Sequence, residues 1–375
     1  MSKLHLLRHR GLPAALLLLA LSSAAPAAEV LTDPHGRIKI SSNENVWGYS
    51  PKAVERLTGA LTVGNYYNHD EVAAFVKLCA AYNGVKEDMI LTTAGSGPLL
   101  LLTALAYAEP GRNVVTTAMG YTQLIQRFSA RGGDVKFAPL GDDMGYDFDA
   151  LARTIDDNTS IVYICNPNNP TGVLADPRKL RNFILSVRPD VLVFVDEAYL
   201  ESADSGLKAN TMVPLTKVRK NLIVTRTFSK GYGMAGLRFG YGVAQPEVLD
   251  KLDALATGGP SYLAAIAAQE ALQDEAFLEE NRQNYMRERN YVCAQFDALG
   301  IEYARKPQGA FVYFHSGLPN EELVAKMREA NIFIGNSRES GVPEGTYGDW
   351  ARVSIGTREQ MDAFLLELRR ILGKT

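Results

Sequence analysis

The chain has 375 residues, enough for one large domain or two with ample core. Hydrophobic residues make up 46% and charged residues 22%, which is ordinary for a soluble globular enzyme and excludes a disordered or fibrous chain. The net charge is −3, and basic residues cluster only at the extreme N-terminus, so nothing points to a nucleic-acid partner.

Residues 1–27 read as an export signal. Lys3, Arg8 and Arg10 precede the apolar run Leu12–Leu21, interrupted only by Pro13, and Ala25-Pro26-Ala27 offers the small residues of a cleavage site. The run is too short for a stable bilayer anchor. His9 separates the two arginines, so the general secretory route to the periplasm is expected, with no membrane span left after removal of the signal. Residues 28–60 hold little periodic structure before a helix at Pro51–Leu61, and this segment is expected to pack with the C-terminal domain. Asp70–Tyr82 has helical spacing, with Val72, Phe75, Val76 and Cys79 on one face.

From Met89 onward strands and helices alternate. Strand-like runs fall at Met89–Thr92, Asn113–Thr116, Val135–Ala138, Ser160–Cys165, Val191–Val195, Leu222–Thr225 and Arg238–Val243. Helical stretches at Leu99–Ala108, Tyr121–Arg131, Phe148–Arg153, Pro177–Val187 and Pro246–Leu255 lie between most of them. The alternation predicts an α/β fold over residues 61–258, with a mostly parallel seven-stranded sheet covered on both faces. Ligands then sit beyond the carboxyl ends of the strands. Residues 259–375 differ. A long charged helix at Ile266–Leu299 precedes short strands at Ala310–Phe314, Ile332–Ile334 and Arg352–Ile355 and helices at Glu321–Ala330 and Glu359–Leu372, which reads as a smaller α+β domain. Cys79, Cys165 and Cys293 cannot all pair within one chain, and no disulfide framework is expected. Cys165 reads as a buried core thiol. No metal site is expected.

The chemistry concentrates in Thr227-Phe228-Ser229-Lys230-Gly231-Tyr232-Gly233, followed by Arg238. A lysine between a hydroxyl and a glycine-broken loop, with an arginine close behind, suits a Schiff base to an aldehyde cofactor whose phosphate is held nearby. Pyridoxal 5'-phosphate (PLP) is such a cofactor, and it also needs an acidic partner for its pyridine nitrogen. Asp196 ends the apolar run Val191–Val195, where a carboxylate is costly unless it meets a positive group. Capping of the next helix is the plain alternative.

Asn166-Pro167-Asn168-Asn169-Pro170-Thr171-Gly172 forms a rigid loop or simply a tight turn. Rigidity would fix the Asn169 amide as a donor to the cofactor's phenolic oxygen, with Tyr199 as a second donor. Ser96 and Gly97 open a helix after a strand and offer backbone N–H groups to a phosphate. Thr227, Ser229 and Arg238 complete that site. Tyr121 would stack on the ring or serve as a half-buried core residue. Arg352 would clamp a substrate carboxylate or form a salt bridge.

These motifs together resemble the class I and II aminotransferases of the fold-type I PLP enzymes, in the branch of histidinol-phosphate aminotransferases. Ser41-Ser42-Asn43-Glu44-Asn45-Val46-Trp47-Gly48 is similar to that branch's substrate-side motif, which places Asn45 and Trp47 at the substrate. The resemblance implies the PLP-dependent transferase fold. It makes Lys230 the lysine that shuttles the proton, with Asp196 and Tyr199 assisting it. It also implies a homodimer with the site at the subunit interface, where a partner tyrosine reaches the phosphate. Tyr67 matches that position, with Tyr66 as rival. The implied reaction moves an amino group from a small-molecule donor to a 2-oxo acid acceptor.

The chain departs from the branch at two points. Gly97-Pro98 stands where the branch has an acidic pair, and Gly335 where it has an arginine for a substrate phosphate. Phosphorylated substrates therefore lose their counter-charge, and Gly335→Arg is expected to favour them. A decarboxylase or racemase of the same fold would share the cofactor site, and a non-catalytic PLP- or amine-binding protein would share the fold.

Overall fold

The computed structural model describes residues 31–336 and 347–374, and the expected signal of residues 1–27 lies outside them. The elements follow in chain order. Strand β1 (Ile38–Ile40), helix α1 (Pro51–Ala60) and helix α2 (His69–Asn83) come first. The alternating region comprises β2 (Ile90–Thr93), α3 (Gly97–Tyr107), β3 (Asn113–Thr117), α4 (Gln123–Ala130), β4 (Asp134–Ala138), α5 (Phe148–Thr154), β5 (Thr159–Cys165), α6 (Pro177–Ser186) and β6 (Leu192–Asp196). It continues through the short α7 (Leu207–Asn210), β7 (Leu222–Thr227), β8 (Gly240–Val243) and α8 (Pro246–Asp253). The C-terminal part holds α9 (Tyr262–Gln273), α10 (Glu275–Ala298), β9 (Phe311–His315), α11 (Asn320–Glu329), β10 (Ile332–Ile334), β11 (Trp350–Ser354) and α12 (Arg358–Leu372).

One seven-stranded sheet runs in the order β2-β8-β7-β6-β5-β3-β4. Its strands are parallel except β8, which is antiparallel to both neighbours. Every residue of β5, β6 and β7 is buried. That explains why these strands read as unbroken apolar runs rather than alternating ones: helices cover both faces of a parallel sheet. Beside it, β9 and β11 pair antiparallel, and β1 pairs in parallel with β10, Ile38 facing Ile332. Among the described residues no helix is long and apolar enough to cross a membrane.

Two sequence expectations need correction. The stretch Ile266–Leu299 is not one helix. It breaks at Asp274 (φ −87°, ψ 67°), whose carboxylate accepts from Ser50 Oγ at 2.6 Å and Lys52 Nζ at 3.0 Å. These contacts come from the start of α1, more than two hundred residues away, so local periodicity carries no trace of them. Strand β1 is the second: Lys39 interrupts its three residues, whereas the equally short but wholly apolar Ile332–Ile334 of its partner β10 is legible as a strand.

A buried ion pair underlies the site. Arg226 on β7 meets Glu197, the residue after β6, with Nε–Oε2 3.0 Å. Arg226 Nη2 also donates to Thr211 Oγ1 at 2.6 Å, and Glu197 Oε1 accepts from the Met212 N–H at 2.6 Å. Such a pair tolerates burial because its hydrogen bonds are filled.

Candidate active site

Parallel pairing sets Cys165, Asp196 and Thr225 side by side at the carboxyl ends of β5, β6 and the facing point of β7. Asp196 is buried and accepts from Thr225 Oγ1 and the Ala198 N–H, each at 3.2 Å. It has no ion-pair partner among the described residues. Burial pushes its pKa up to about 7, against the pull of those two hydrogen bonds. A carboxylate in this state calls for a cationic partner from outside the chain.

Beyond β7 the chain turns at Thr227, whose Oγ1 accepts from the Ser229 N–H at 3.1 Å and donates to Ser229 Oγ at 2.9 Å. Lys230 follows, its Nζ donating to the Ser42 carbonyl at 2.7 Å and lying 5.6 Å from the Tyr199 ring centre. Loss of bulk water, with the Arg352 charge next, brings its pKa down to about 8. A lysine held near neutrality is a competent nucleophile and base.

An anion cradle closes one end. Arg238, in the left-handed region (φ 59°), donates from Nη1 to Ser229 Oγ at 3.0 Å. Helix α3 begins opposite at Gly97, and no side chain caps it at Ser96. The loop between holds Gly95 at φ +87°, where a Cβ would sit 2.5 Å from Arg238 Nη2. A Cβ at Gly240 would fall 2.8 Å from the Ser96 nitrogen. Both glycines therefore keep the cradle open.

At the other end Arg352, on β11, donates from Nη1 to Asn169 Oδ1 at 2.6 Å and from Nη2 to the Ser41 carbonyl at 2.7 Å. Asn169 Nδ2 in turn reaches Tyr199 Oη at 3.4 Å. Tyr121 donates to Gln123 Oε1 at 3.1 Å, and Gln123 Nε2 to the Gly97 carbonyl at 3.3 Å.

A cavity of about 280 Å³ gathers Ser96, Gly97, Tyr121, Asn169, Asp196, Tyr199, Thr227, Ser229, Lys230, Arg238 and Arg352 on its walls. Three expected residues stand elsewhere. Asn45 donates from Nδ2 to the Gly231 carbonyl at 3.0 Å, and Trp47 packs edge-on against Tyr285 at 4.9 Å between ring centres. Asn45 braces the segment after Lys230, Trp47 packs on α10, and neither lines the cavity. Tyr67 is 96% exposed and outside its own chain's cavity. The walls also include Ser41, Ser42, Asn43, Gln123 and Cys165, which sequence reading did not assign to the site. Asn43 lies inside the motif that pointed to Asn45, two residues off.

The residues fit PLP: a buried carboxylate with no ion-pair partner among the described residues for a cationic ring nitrogen, an arginine and a free helix start for the phosphate, and a lysine of lowered pKa, all on one cavity wall with Arg352.

Gly335 forms a bridge with Arg352. A Cβ there would fall 2.9 Å from Arg352 Nη2 and 3.0 Å from its Nε. Any side chain at 335 therefore crowds the guanidinium, a cost to the clamp that the expected gain of Gly335→Arg for phosphorylated substrates leaves out. Gly335→Ala is expected to raise KM for a carboxylate substrate about tenfold with kcat nearly unchanged. Steady-state kinetics checks this, and an unchanged KM would show that the guanidinium can shift freely.

Residues 38–368 match the family model described as aminotransferase class I and II. The chain is 32% identical over 337 residues to a histidinol-phosphate aminotransferase of Moorella thermoacetica, covering 90% of this chain and 86% of that one. It is 34% identical over 331 residues to the same-named protein of Geobacillus thermodenitrificans, covering 87% of each. Among solved structures, a putative histidinol-phosphate aminotransferase from Erwinia carotovora atroseptica superposes with a TM-score of 0.83 at 27% identity, covering 91% of this chain and 98% of that one. A histidinol-phosphate aminotransferase from Sinorhizobium meliloti, in complex with pyridoxal-5'-phosphate, gives a TM-score of 0.81 at 24% identity, covering 94% and 98%, and shares the fold.

Proposed function

The chain belongs to the class I and II aminotransferase family and is a PLP-dependent transaminase, and from that premise we propose that it works outside the cytoplasm, as a homodimer, on a carboxylate-bearing amino donor and a 2-oxo acid. The observation that carries the reading is one cavity that gathers Lys230, Arg238 and Arg352 on its walls.

PLP, when bound, withdraws electrons from the substrate Cα so that its hydrogen can leave as a proton. Arg238, Ser229, Thr227 and the Ser96–Gly97 backbone would hold the phosphate. Asp196 would keep the ring nitrogen protonated, Tyr121 would cover the ring face, and Asn169 with Tyr199 would donate to the ring oxygen. Arg352 fixes the substrate carboxylate as a bidentate fork, which orients Cα toward Lys230. Lys230 Nζ would take the Cα proton as base and then, as acid, deliver it two atoms along, to the cofactor carbon beyond the amine nitrogen.

The curated relatives are named for histidinol phosphate. For this chain an unphosphorylated donor is favoured, since among the described residues the cations on the cavity wall are Lys230, Arg238 and Arg352, and each already has a task. The dimer reading draws support from the exposed apolar residues Leu61, Val63, Tyr66 and Tyr67 between α1 and α2, which would bring Tyr67 to the partner's phosphate. Export draws support from the N-terminal pattern alone. N-terminal sequencing of the periplasmic fraction tests it, with a start near residue 28 expected.

Half-reaction screening tests the substrate. The purified holoenzyme is mixed with single amino acids, amine-bearing metabolites and histidinol phosphate, and the cofactor absorbance is followed. Conversion is expected with a carboxylate-bearing donor. Conversion by histidinol phosphate alone would sink the substrate reading.

A further inference from the structure

Tyr199 Oη faces two carboxamides: Asn43 Nδ2 at 3.1 Å and Asn169 Nδ2 at 3.4 Å. A phenol oxygen has one hydrogen and two lone pairs. With both amide nitrogens donating to it, its hydrogen is left for the cavity. The Asn43 amide has only one orientation that satisfies its partners. Its backbone N–H donates to Ser354 Oγ at 2.9 Å, so the serine hydrogen goes to Asn43 Oδ1 at 2.8 Å. Only Nδ2 remains to face Tyr199. Asn43 is 2% exposed and sits in the left-handed region at φ 57°, a conformation that asparagine tolerates better than most residues.

Ser354 and Arg352 are alternate residues of β11 and share one face of it. Two hydrogen-bonded chains thus run from one strand to one phenol oxygen. Arg352 reaches it through Asn169, and Ser354 reaches it through Asn43.

We infer that Asn43, held by Ser354, is a positioning residue of the reaction: it aims the Tyr199 hydrogen at the cofactor's ring oxygen and ties that bond to the strand bearing the substrate clamp. The inference rests on the reading that places Tyr199 on that oxygen and Arg352 on the substrate carboxylate. Donation to the ring oxygen lowers the basicity of the lysine-bound nitrogen beside it. An amide donating into the phenol makes the phenol a stronger donor in turn. The titratable groups facing Tyr199 are Arg352 from β11, Cys165 from β5, Tyr121 before α4 and Lys230 after β7.

The test is a pH titration of the visible chromophore of the holoenzyme, without substrate, in wild type, Asn43→Ala, Tyr199→Phe and the double variant. Tyr199→Phe is expected to raise the midpoint by about 1 unit and Asn43→Ala by about 0.3 unit. In the Tyr199→Phe background, Asn43→Ala is expected to add nothing. Ser354→Ala keeps the amide but frees it, should give part of the same shift, and stands in if Asn43→Ala does not fold. Midpoints unmoved in both Asn43→Ala and Ser354→Ala overturn the inference. So does an Asn43→Ala shift that persists without the phenol. An unmoved midpoint in Tyr199→Phe instead overturns the placing of Tyr199 on the cofactor.

Discussion

Lys230→Ala is expected to lower turnover by about 10⁴-fold or more, because in the proposed reaction one side chain both holds the cofactor covalently and moves the substrate proton. Neither task has a substitute among the described residues of the cavity wall. Arg238 is engaged with the cofactor phosphate and Arg352 with the substrate carboxylate in the proposed reaction. Asp196 is spoken for by the ring nitrogen, and Tyr199 is held above the ordinary phenol range, chiefly by burial.

The fold should survive the change. Lys230 Nζ bonds only to the Ser42 carbonyl among the described residues, and the loop is held independently through the Gly231 carbonyl by Asn45 and Asn281, each at 3.0 Å. The variant is therefore expected to show wild-type far-ultraviolet dichroism with no borohydride-trapped pyridoxyl label at position 230. Turnover that persisted in it, or a label on another lysine of the wild-type protein, would remove the central assignment. The same lysine sets an expected pH limit. With its pKa near 8, lowered by burial and then by Arg352, a growing share of Nζ is neutral from about pH 7 upward in the cofactor-free protein. Cofactor uptake should therefore quicken over that range, as stopped-flow absorbance would show.

How much of this was legible in the sequence follows the range of the interactions. Asp196 was found because an acidic residue ending an apolar run is a local anomaly, and the strand that carries it is buried on both faces. Lys230 was found because its neighbours are local too: Thr227, Ser229 and Arg238 lie within a dozen residues and bond to one another. Asn43 was missed because its partners Tyr199 and Ser354 lie 156 and 311 residues away. Nothing in a stretch of polar residues tells which one faces a cavity and which one, like Asn45, faces a backbone carbonyl. Cys165 was read only as core. It is core by burial, yet it also ends β5 beside Asp196 and so reaches the cavity wall. Gly335 shows the reverse limit. Its identity was legible, but the closeness of Arg352 across the β-bridge was not, and a side chain there crowds that guanidinium.

Asp196→Asn is expected to separate function from stability with opposite signs. In the unfolded chain this carboxyl ionises near 3.8, and in the folded cofactor-free protein near 7. Between those values the folded state keeps a proton that the unfolded state has released. Stability therefore falls as pH rises from about 4 to about 7, and the full cost persists above that. A shift of this size corresponds to on the order of 4 kcal/mol in the limit. Asparagine removes the charge but leaves an amide whose second N–H lacks an obvious acceptor, which returns about 1–3 kcal/mol of that gain.

The net expectation is a cofactor-free variant more stable than wild type by about 1–3 kcal/mol at pH 8, with no advantage at pH 4, where the wild-type carboxyl is already neutral. Activity should move the other way. An amide cannot keep the ring nitrogen protonated, so the pull on the Cα electrons weakens and turnover drops by about 10³-fold. Cofactor affinity should fall as well, because the charge-assisted bond is lost. Thermal unfolding of the cofactor-free proteins at both pH values, alongside turnover of the loaded ones, reads all three quantities. If the variant were less stable at pH 8 and as active as wild type, Asp196 would be a structural cap whose burial is compensated within the chain, and the case for a cationic ring nitrogen at that position would fail.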